Sequence, residues 1–232
     1  MHEPPRVDVP PDHLTEGVVP QLLLLAALLP TPFALSQHAL GDGRFLGLPD
    51  AAWLAIAVAV PVVHQMLVLV GWRLQLRVRV FTRLFGDADL AVWGALFLPL
   101  LVARPLTVLG LGLADAGSLG SPWALSAVLG TALALPAAYT LWSVHRYFGI
   151  PRALGGDHFR EAYRQLPMVN EGAFRWSGNA MYTFAFLGLW SIALLTNSWA
   201  ALTACLFQHA YIWVHWYGTE QPDMQLLYGT KD

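Results

Sequence analysis

The sequence predicts an all-α membrane protein, a polytopic bundle of about six transmembrane helices that ends in a helical hairpin. Of its 232 residues, 56% are hydrophobic and only 12% are charged, where an ordinary soluble domain carries roughly 25%. The mean hydropathy is +0.50. Several apolar stretches are long enough, or nearly so, to cross a hydrocarbon core of about 30 Å at about 1.5 Å per residue.

In chain order these stretches are 17–35, 51–72, 90–113, 122–144, 179–196 and 199–216. Hydrocarbon offers unpaired backbone groups no partner, so continuous apolar runs of this length are helices. Only Asn197-Ser198 separates the last two, which predicts a tight hairpin. Pro30, Pro32, Pro61, Pro99, Pro105 and Pro136 fall inside spans and mark kinks. Arg73, Arg77, Arg79 and Arg83 follow the second span, and Arg146, Arg152, Arg160, Arg164 and Arg175 follow the fourth. With Arg6 and Lys231 at the ends, nearly all basic residues lie on one side. The positive-inside rule makes that side, with both termini, cytoplasmic.

The first residues hold Glu3, Asp8, Asp12 and Glu16 against one Arg6, unlike the basic start of a secretory signal, so the first span is expected to belong to the mature fold. Arginine outnumbers lysine twelve to one amid many Ala, Leu and Val residues. This bias points to a GC-rich genome and a bacterial inner membrane. The expected organisation is a cytoplasmic segment 1–16, a transmembrane bundle 17–144 and a C-terminal region 145–232. The net charge of −2 gives no footing for nucleic acid. The lone Cys205 excludes a disulfide or a thiolate zinc site, and no metal site is expected.

Chemistry-bearing residues gather between His145 and Gly229. The fourth span exits through His145-Arg146-Tyr147-Phe148-Gly149-Ile150-Pro151, where Gly149 and Pro151 stop the helix. Residues 157–166 form an amphipathic candidate, with Phe159, Tyr163 and Leu166 on one face and Arg160 and Arg164 on another. Such a segment can lie among headgroups and attract lipid phosphate, or serve as an ordinary loop helix. The fifth span opens at Ser177-Gly178-Asn179-Ala180-Met181-Tyr182, where Ser177 or Asn179 can cap a helix N-terminus. Its free amides suit a carboxylate, although a plain cap accounts for the same residues. In the sixth span His209, Trp213, Trp216 and Glu220 fall at helical spacing. Aromatic faces beside a carboxylate hold a cation well, and Trp and Tyr also form interfacial belts. Gly110-Leu111-Gly112 has the look of a phosphate loop but follows no strand. His64 and Arg104 are costly inside spans and are functional candidates on that ground.

These C-terminal pieces resemble the membrane phospholipid methyltransferases, within a superfamily that includes the isoprenylcysteine carboxyl methyltransferases. The resemblance rests on Tyr147-Phe148-Gly149-Ile150, on Asn179-Ala180-Met181-Tyr182, and on Glu220-Gln221-Pro222 followed by Tyr228-Gly229. Ala180 stands where the family has proline, and Glu220-Gln221 replaces paired glutamates. The resemblance implies S-adenosylmethionine as cofactor, a lipid or lipid-like substrate within the bilayer, and phospholipid-amine methylation at the cytoplasmic face. It implies cofactor contacts from Tyr147, Gly149, Ile150, Asn179, Ala180, Met181, Tyr182, His209, Glu220 and Gln221. Glu220 and His145 become the candidate bases, and Arg152, Arg160, Arg164 and Arg175 the candidate phosphate ligands. The alternatives are a carboxyl or thiol acceptor, or a non-catalytic membrane protein or small transporter of the same architecture.

Overall fold

The computed structural model describes residues 9–229 and is helical almost throughout, as a chain with little water to satisfy its backbone must be. Arg6 and Lys231, used above for orientation, lie outside the described residues, as do Glu3 and Asp8. Among the described residues, four helical stretches are long and apolar enough to cross a membrane: Pro11–Ser36, Asp50–Val78, Val80–Ala114 and Trp123–Phe148. The first joins a 3-10 turn (Pro11–Leu14), α1 (Val18–Leu28) and α2 (Thr31–Ser36), with Pro30 at the break. Two short strands, β1 (Arg44–Phe45) and β2 (Leu48–Pro49), pair antiparallel before α3 (Asp50–Val78). The chain then turns through left-handed Arg79 (φ 53°) into α4 (Val80–Phe85) and α5 (Asp89–Ala114). α6 (Trp123–Ser143) forms the fourth crossing.

The C-terminal region begins with a π-helical segment, π1 (Val144–Phe148), continued by the short helices α7 (Ile150–Ala153) and α8 (Glu161–Arg164). A second π-helical segment, π2 (Met181–Ala185), leads into α9 (Leu187–Leu195). The return helix runs through α10 (Trp199–His215), π3 (Trp216–Glu220) and α11 (Gln221–Tyr228). The expected hairpin is therefore present. Its first arm, Met181–Leu195, is shorter than the other crossings, about 21 Å at the usual rise.

The hairpin turn is held by one buried carboxylate. Asp115 Oδ2 accepts from Ser118 Oγ (2.5 Å), Ser198 Oγ (2.6 Å) and the Ala200 amide (3.0 Å). Ser198 Oγ in turn accepts from the Ala201 amide at 3.0 Å, capping α10. Asn197 takes the left-handed conformation (φ 52°) that asparagine tolerates better than most residues, and its Nδ2 donates to Ser121 O at 2.7 Å.

α10 lies at the centre of the bundle. Its Ala200, Ala201, Ala204 and Cys205 are fully buried against Leu54, Ala57 and Val58 of α3, Val108 and Leu111 of α5, and Leu189 and Ala193 of α9. Small residues let helices approach closely where burial against lipid gives no hydrophobic gain. This core crosses the boundary expected at residue 144. Outward faces are apolar as lipid requires, with Leu22, Leu23 and Leu24 on α1 and Leu125, Val128 and Leu129 on α6 all exposed.

The glycines of Gly110-Leu111-Gly112 have a packing role. A Cβ on Gly110 would lie 2.5 Å from the Trp53 ring, and one on Gly112 would collide with Thr196. They make room for neighbouring helices and form no phosphate loop.

Replacing Asp115 by alanine leaves two hydroxyls and the Ala200 amide without their acceptor. We expect a loss of about 1–3 kcal/mol, measured by thermal unfolding in detergent, with Ser118→Ala costing less.

Candidate active site

The expected face on α10 forms against the start of the hairpin. Tyr182, on π2, donates a short hydrogen bond from its hydroxyl to Glu220 Oε2 on π3. Trp213 packs edge-on to Tyr182 with ring centroids 6.1 Å apart, and Trp216 lies 6.1 Å from Trp213. One turn deeper, His209 sits 5.3 Å from the Phe186 ring and accepts from Trp190 Nε1 at 3.0 Å. The entry and exit of the hairpin thus share one side-chain wall. Burial pushes the Glu220 carboxyl up to about 7, with nearby Asp157 and Asp223 adding to the effect while the Tyr182 hydroxyl opposes it.

Each of the three π-helical segments overlaps one of the motifs that carry the family resemblance, at Tyr147-Phe148, at Met181-Tyr182 and at Glu220. A π turn places an extra residue in the helix and re-aims the side chains beyond it, which is why such turns recur at functional sites. Gly149 (φ 87°) ends π1 in a conformation that a side chain would strain. At π2, Ser177 Oγ accepts from the Asn179 amide at 3.1 Å, and the Asn179 carbonyl accepts from the Tyr182 and Thr183 amides, both at 3.0 Å. Ala180 is fully buried, so no side chain larger than methyl fits there without displacement.

Other expected residues are placed apart from this wall. His145 is exposed on π1 and has no polar partner among the described residues. Tyr147 packs edge-on to Trp142 at 5.5 Å, Ile150 is exposed, and Met181 and Gln221 are half-buried. Arg160 binds Asp89 through two nitrogens (2.7 and 2.5 Å), which raises the guanidinium pKa further. Arg164 donates to the Asp157 carbonyl at 2.7 Å. Arg152 reaches Pro167 O at 3.1 Å from the surface, and Arg175 is exposed. Arg152 and Arg175 are therefore the more open cations of the expected set.

The segment 157–166 is not one amphipathic helix on the surface. A 3-10 turn (Gly156–His158) and α8 divide it, and Phe159 is buried with Trp72 and Trp93. Two interactions break the helix by drawing its start inward. His158 stacks on Trp72 at 4.2 Å, and Arg160 is held by Asp89.

His158 also belongs to a buried network that the sequence did not disclose. Asp223 on α11 is fully buried and binds His13 Nε2 (2.9 Å), Arg73 Nε (2.6 Å) and His158 Nε2 (3.2 Å). Asp157 meets His158 Nδ1 at 3.0 Å and accepts from the Tyr228 hydroxyl at 3.0 Å. Arg73 further donates to the carbonyls of His13, Glu16 and Thr219. Burial opposes charge on His158, but Asp157 and Asp223 outweigh it and push its pKa up to about 9. Burial likewise opposes the Asp223 anion, but His13, His158 and Arg73 hold its pKa down to about 2.

Fold and site together define an all-α membrane protein, and residues 125–231 match the family model described as phospholipid methyltransferase. The chain is similar to phosphatidylethanolamine N-methyltransferase of Yarrowia lipolytica (strain CLIB 122 / E 150), with 31% identity over 111 residues. That match covers 47% of this chain and 11% of the Yarrowia protein, so the chain accounts for about a tenth of that relative's length. No solved structure matches.

The Asp223 network predicts a defined pH response. His158 has a raised pKa, so its contribution is complete below the ordinary value of about 6.5 and fades as pH rises through about 9. Asp223 has a depressed pKa, so its contribution is complete above the ordinary value of about 3.9 and fades as pH falls toward about 2. Unfolding temperature in detergent should therefore decline on the alkaline side, and His158→Gln should flatten that decline. Asp223→Ala strands Arg73 without its counter-charge and should cost about 3–5 kcal/mol.

Proposed function

We propose that the protein transfers a methyl group from S-adenosylmethionine to a lipid-like or small hydrophobic acceptor at the cytoplasmic membrane face, with a phospholipid amine the first acceptor to test. The observation that carries this reading is the Tyr182–Glu220 hydrogen bond, which joins two of the family motifs in one wall. A half-buried carboxylate among Tyr182, Trp213 and Trp216 has the chemistry to hold a sulfonium, since aromatic faces and an anion both attract it. The donor set therefore fits the cofactor that the family uses.

When bound, the cofactor would supply an electrophilic methyl group for the acceptor nitrogen, whose proton must leave for the transfer to be complete. Glu220 is proposed as the group that takes this proton, because a base titrating near neutrality combines availability with strength. Tyr182 holds the carboxylate in place. Asn179, Ala180, Met181, Tyr147, Gly149, Ile150, His209 and Gln221 complete the proposed cofactor lining. Arg152 and Arg175 are proposed to meet lipid phosphate from the open side. His145 remains a second candidate base, reachable from the interface because it is exposed. The proposed orientation places these groups in the cytosol, where the cofactor resides, and the distribution of arginines supports it.

Calorimetric binding of S-adenosylhomocysteine to the purified protein tests the reading. Micromolar binding is expected; no binding, with Glu220→Ala indistinguishable from wild type, would reject it. Affinity for S-adenosylmethionine should weaken as pH falls below about 7, because protonation removes the Glu220 charge. Glu220→Gln should abolish that dependence, and Tyr182→Phe should weaken binding by about tenfold. Orientation is checked separately with a membrane-impermeant thiol reagent: Ala116→Cys should react from outside and Arg175→Cys from the cytoplasmic side, both positions being exposed.

A further inference from the structure

We infer that Arg104, midway along α5, anchors an anion-binding site inside the bundle that takes a carboxylate or phosphate group. Arg104 is 3% exposed and has no carboxylate within ion-pair distance among the described residues. Its protein partners are neutral: Nε donates to Gln208 Oε1 at 3.1 Å, a terminal nitrogen reaches Gln208 O at 3.5 Å, and the guanidinium lies 4.8 Å over the Phe186 ring. Gln208 is fixed in turn by its Nε2, which donates to Ala57 O at 2.9 Å. A cation held deep within a bilayer is costly even by the most lenient scale. Neutral partners offset this only in part.

The surroundings are rich in donors and poor in acceptors. The buried Tyr211 hydroxyl, one turn along α10 from Gln208, has the Gln21 amide beside it as a donor and no acceptor for its own proton. Both ring nitrogens of His64 on α3 are buried without partners, and one of them carries a proton in the neutral ring. Both residues lie within electrostatic reach of Arg104. Buried polar groups without partners are uncommon and costly. Here they accompany a buried cation that no carboxylate neutralises, and an anionic oxygen is the acceptor that such donors call for. A metal ion would be repelled by the guanidinium, and no cluster of three or more metal-ligating side chains occurs among the described residues.

The site adjoins the proposed catalytic wall. Phe186, which packs on Arg104, is also the ring against His209 and lies 6.4 Å from Tyr182. The anion therefore has two possible sources: the amino-acid carboxylate of the cofactor, or an anionic group on the acceptor. Only this choice of source rests on the methyltransferase reading; the site itself does not.

The test uses purified protein in nanodiscs, as wild type, Arg104→Gln and Tyr211→Phe. Removing Arg104 leaves no carboxylate stranded, so the variant is expected to fold, and its unfolding temperature verifies this. Two ligands are titrated: S-adenosylhomocysteine and its analogue lacking the carboxylate. In parallel, phosphatidylethanolamine and diacylglycerol retained by the protein are counted by native mass spectrometry. If Arg104→Gln weakens S-adenosylhomocysteine about tenfold or more and leaves the decarboxylated analogue unchanged, the anion is the cofactor's carboxylate. If cofactor binding is unchanged but phosphatidylethanolamine is lost while diacylglycerol is retained, the anion is the acceptor's phosphate. Tyr211→Phe should weaken the same ligand to a smaller degree. Should wild type fail to bind S-adenosylhomocysteine, the catalytic proposal falls while the lipid arm still decides this one. If neither ligand responds to Arg104→Gln, the anion site is overturned.

Discussion

A carboxylate with no access to water must be surrounded by donors, and Asp223 draws its donors from across the chain. His13 comes from the segment before the first span, Arg73 from the end of α3 and His158 from the loop after the fourth crossing. Losing any one would leave part of a buried charge uncompensated, so these segments are fixed relative to α11. Glu220 lies three residues before Asp223 on the same continuous helix. The anchoring of Asp223 therefore also sets the position of Glu220, and with it the wall shared with Tyr182. The N-terminal segment, which lies outside the family match, supports the proposed site through His13 on Asp223 and through the His13 and Glu16 carbonyls on Arg73.

The π-helical segments supply the other half of the geometry. An ordinary α-helix advances its faces at a fixed angle, so Glu220 and Asp223 would be set by the phase of α10 alone. π3 interrupts that phase between the packed face of α10 and the polar residues of α11. Glu220 can then face Tyr182 while Asp223 turns toward Arg73 and His158. π2 acts similarly on the opposing strand of the hairpin, presenting Tyr182 beyond the loop that Ser177 stabilises. Both changes of phase fall at the interface, where polar groups and water can satisfy the loosened carbonyls.

Much of the bundle could be read from hydrophobicity, because span boundaries follow where charge begins. The stretches expected at 51–72, 90–113 and 122–144 correspond to α3, α5 and α6, with the main discrepancy at the end of α3. That helix continues to Val78 because Arg73 and Arg77 reach back to the N-terminal segment and do not simply face solvent. The site was legible only where spacing within one helix decides the matter, as for His209, Trp213, Trp216 and Glu220. Pairings between distant residues were not: His13 and Asp223 are 210 positions apart, and nothing local marks either as a partner. The sequence suggests phosphate for Arg160, which the structure pairs with Asp89, because a positive charge in a loop carries no sign of its internal counter-ion. Asp89, directly before an apolar run, was the available clue, since an acid at that position invites a basic partner.

α10 carries two polar faces, and their separation divides the labour of the bundle. His209, Trp213 and Glu220 look toward the hairpin entry, where the proposed chemistry would take place at the interface. Gln208, Tyr211 and His215 look the other way, toward α3 and α5 (Gln208), α1 (Tyr211) and α3 (His215), and are fully or almost fully buried there. A helix that only had to pack would place alanine or leucine on the second face, as α10 does near its start with Ala200, Ala201 and Ala204. From the level of Arg104 onward this face carries Gln208, Tyr211 and His215, all buried. Since Arg104 and His64 come from helices outside the family match, the matched region by itself lacks one side of this interior. The N-terminal helices therefore do more than anchor the protein in the bilayer: they supply the charge against which the inner face of α10 is set.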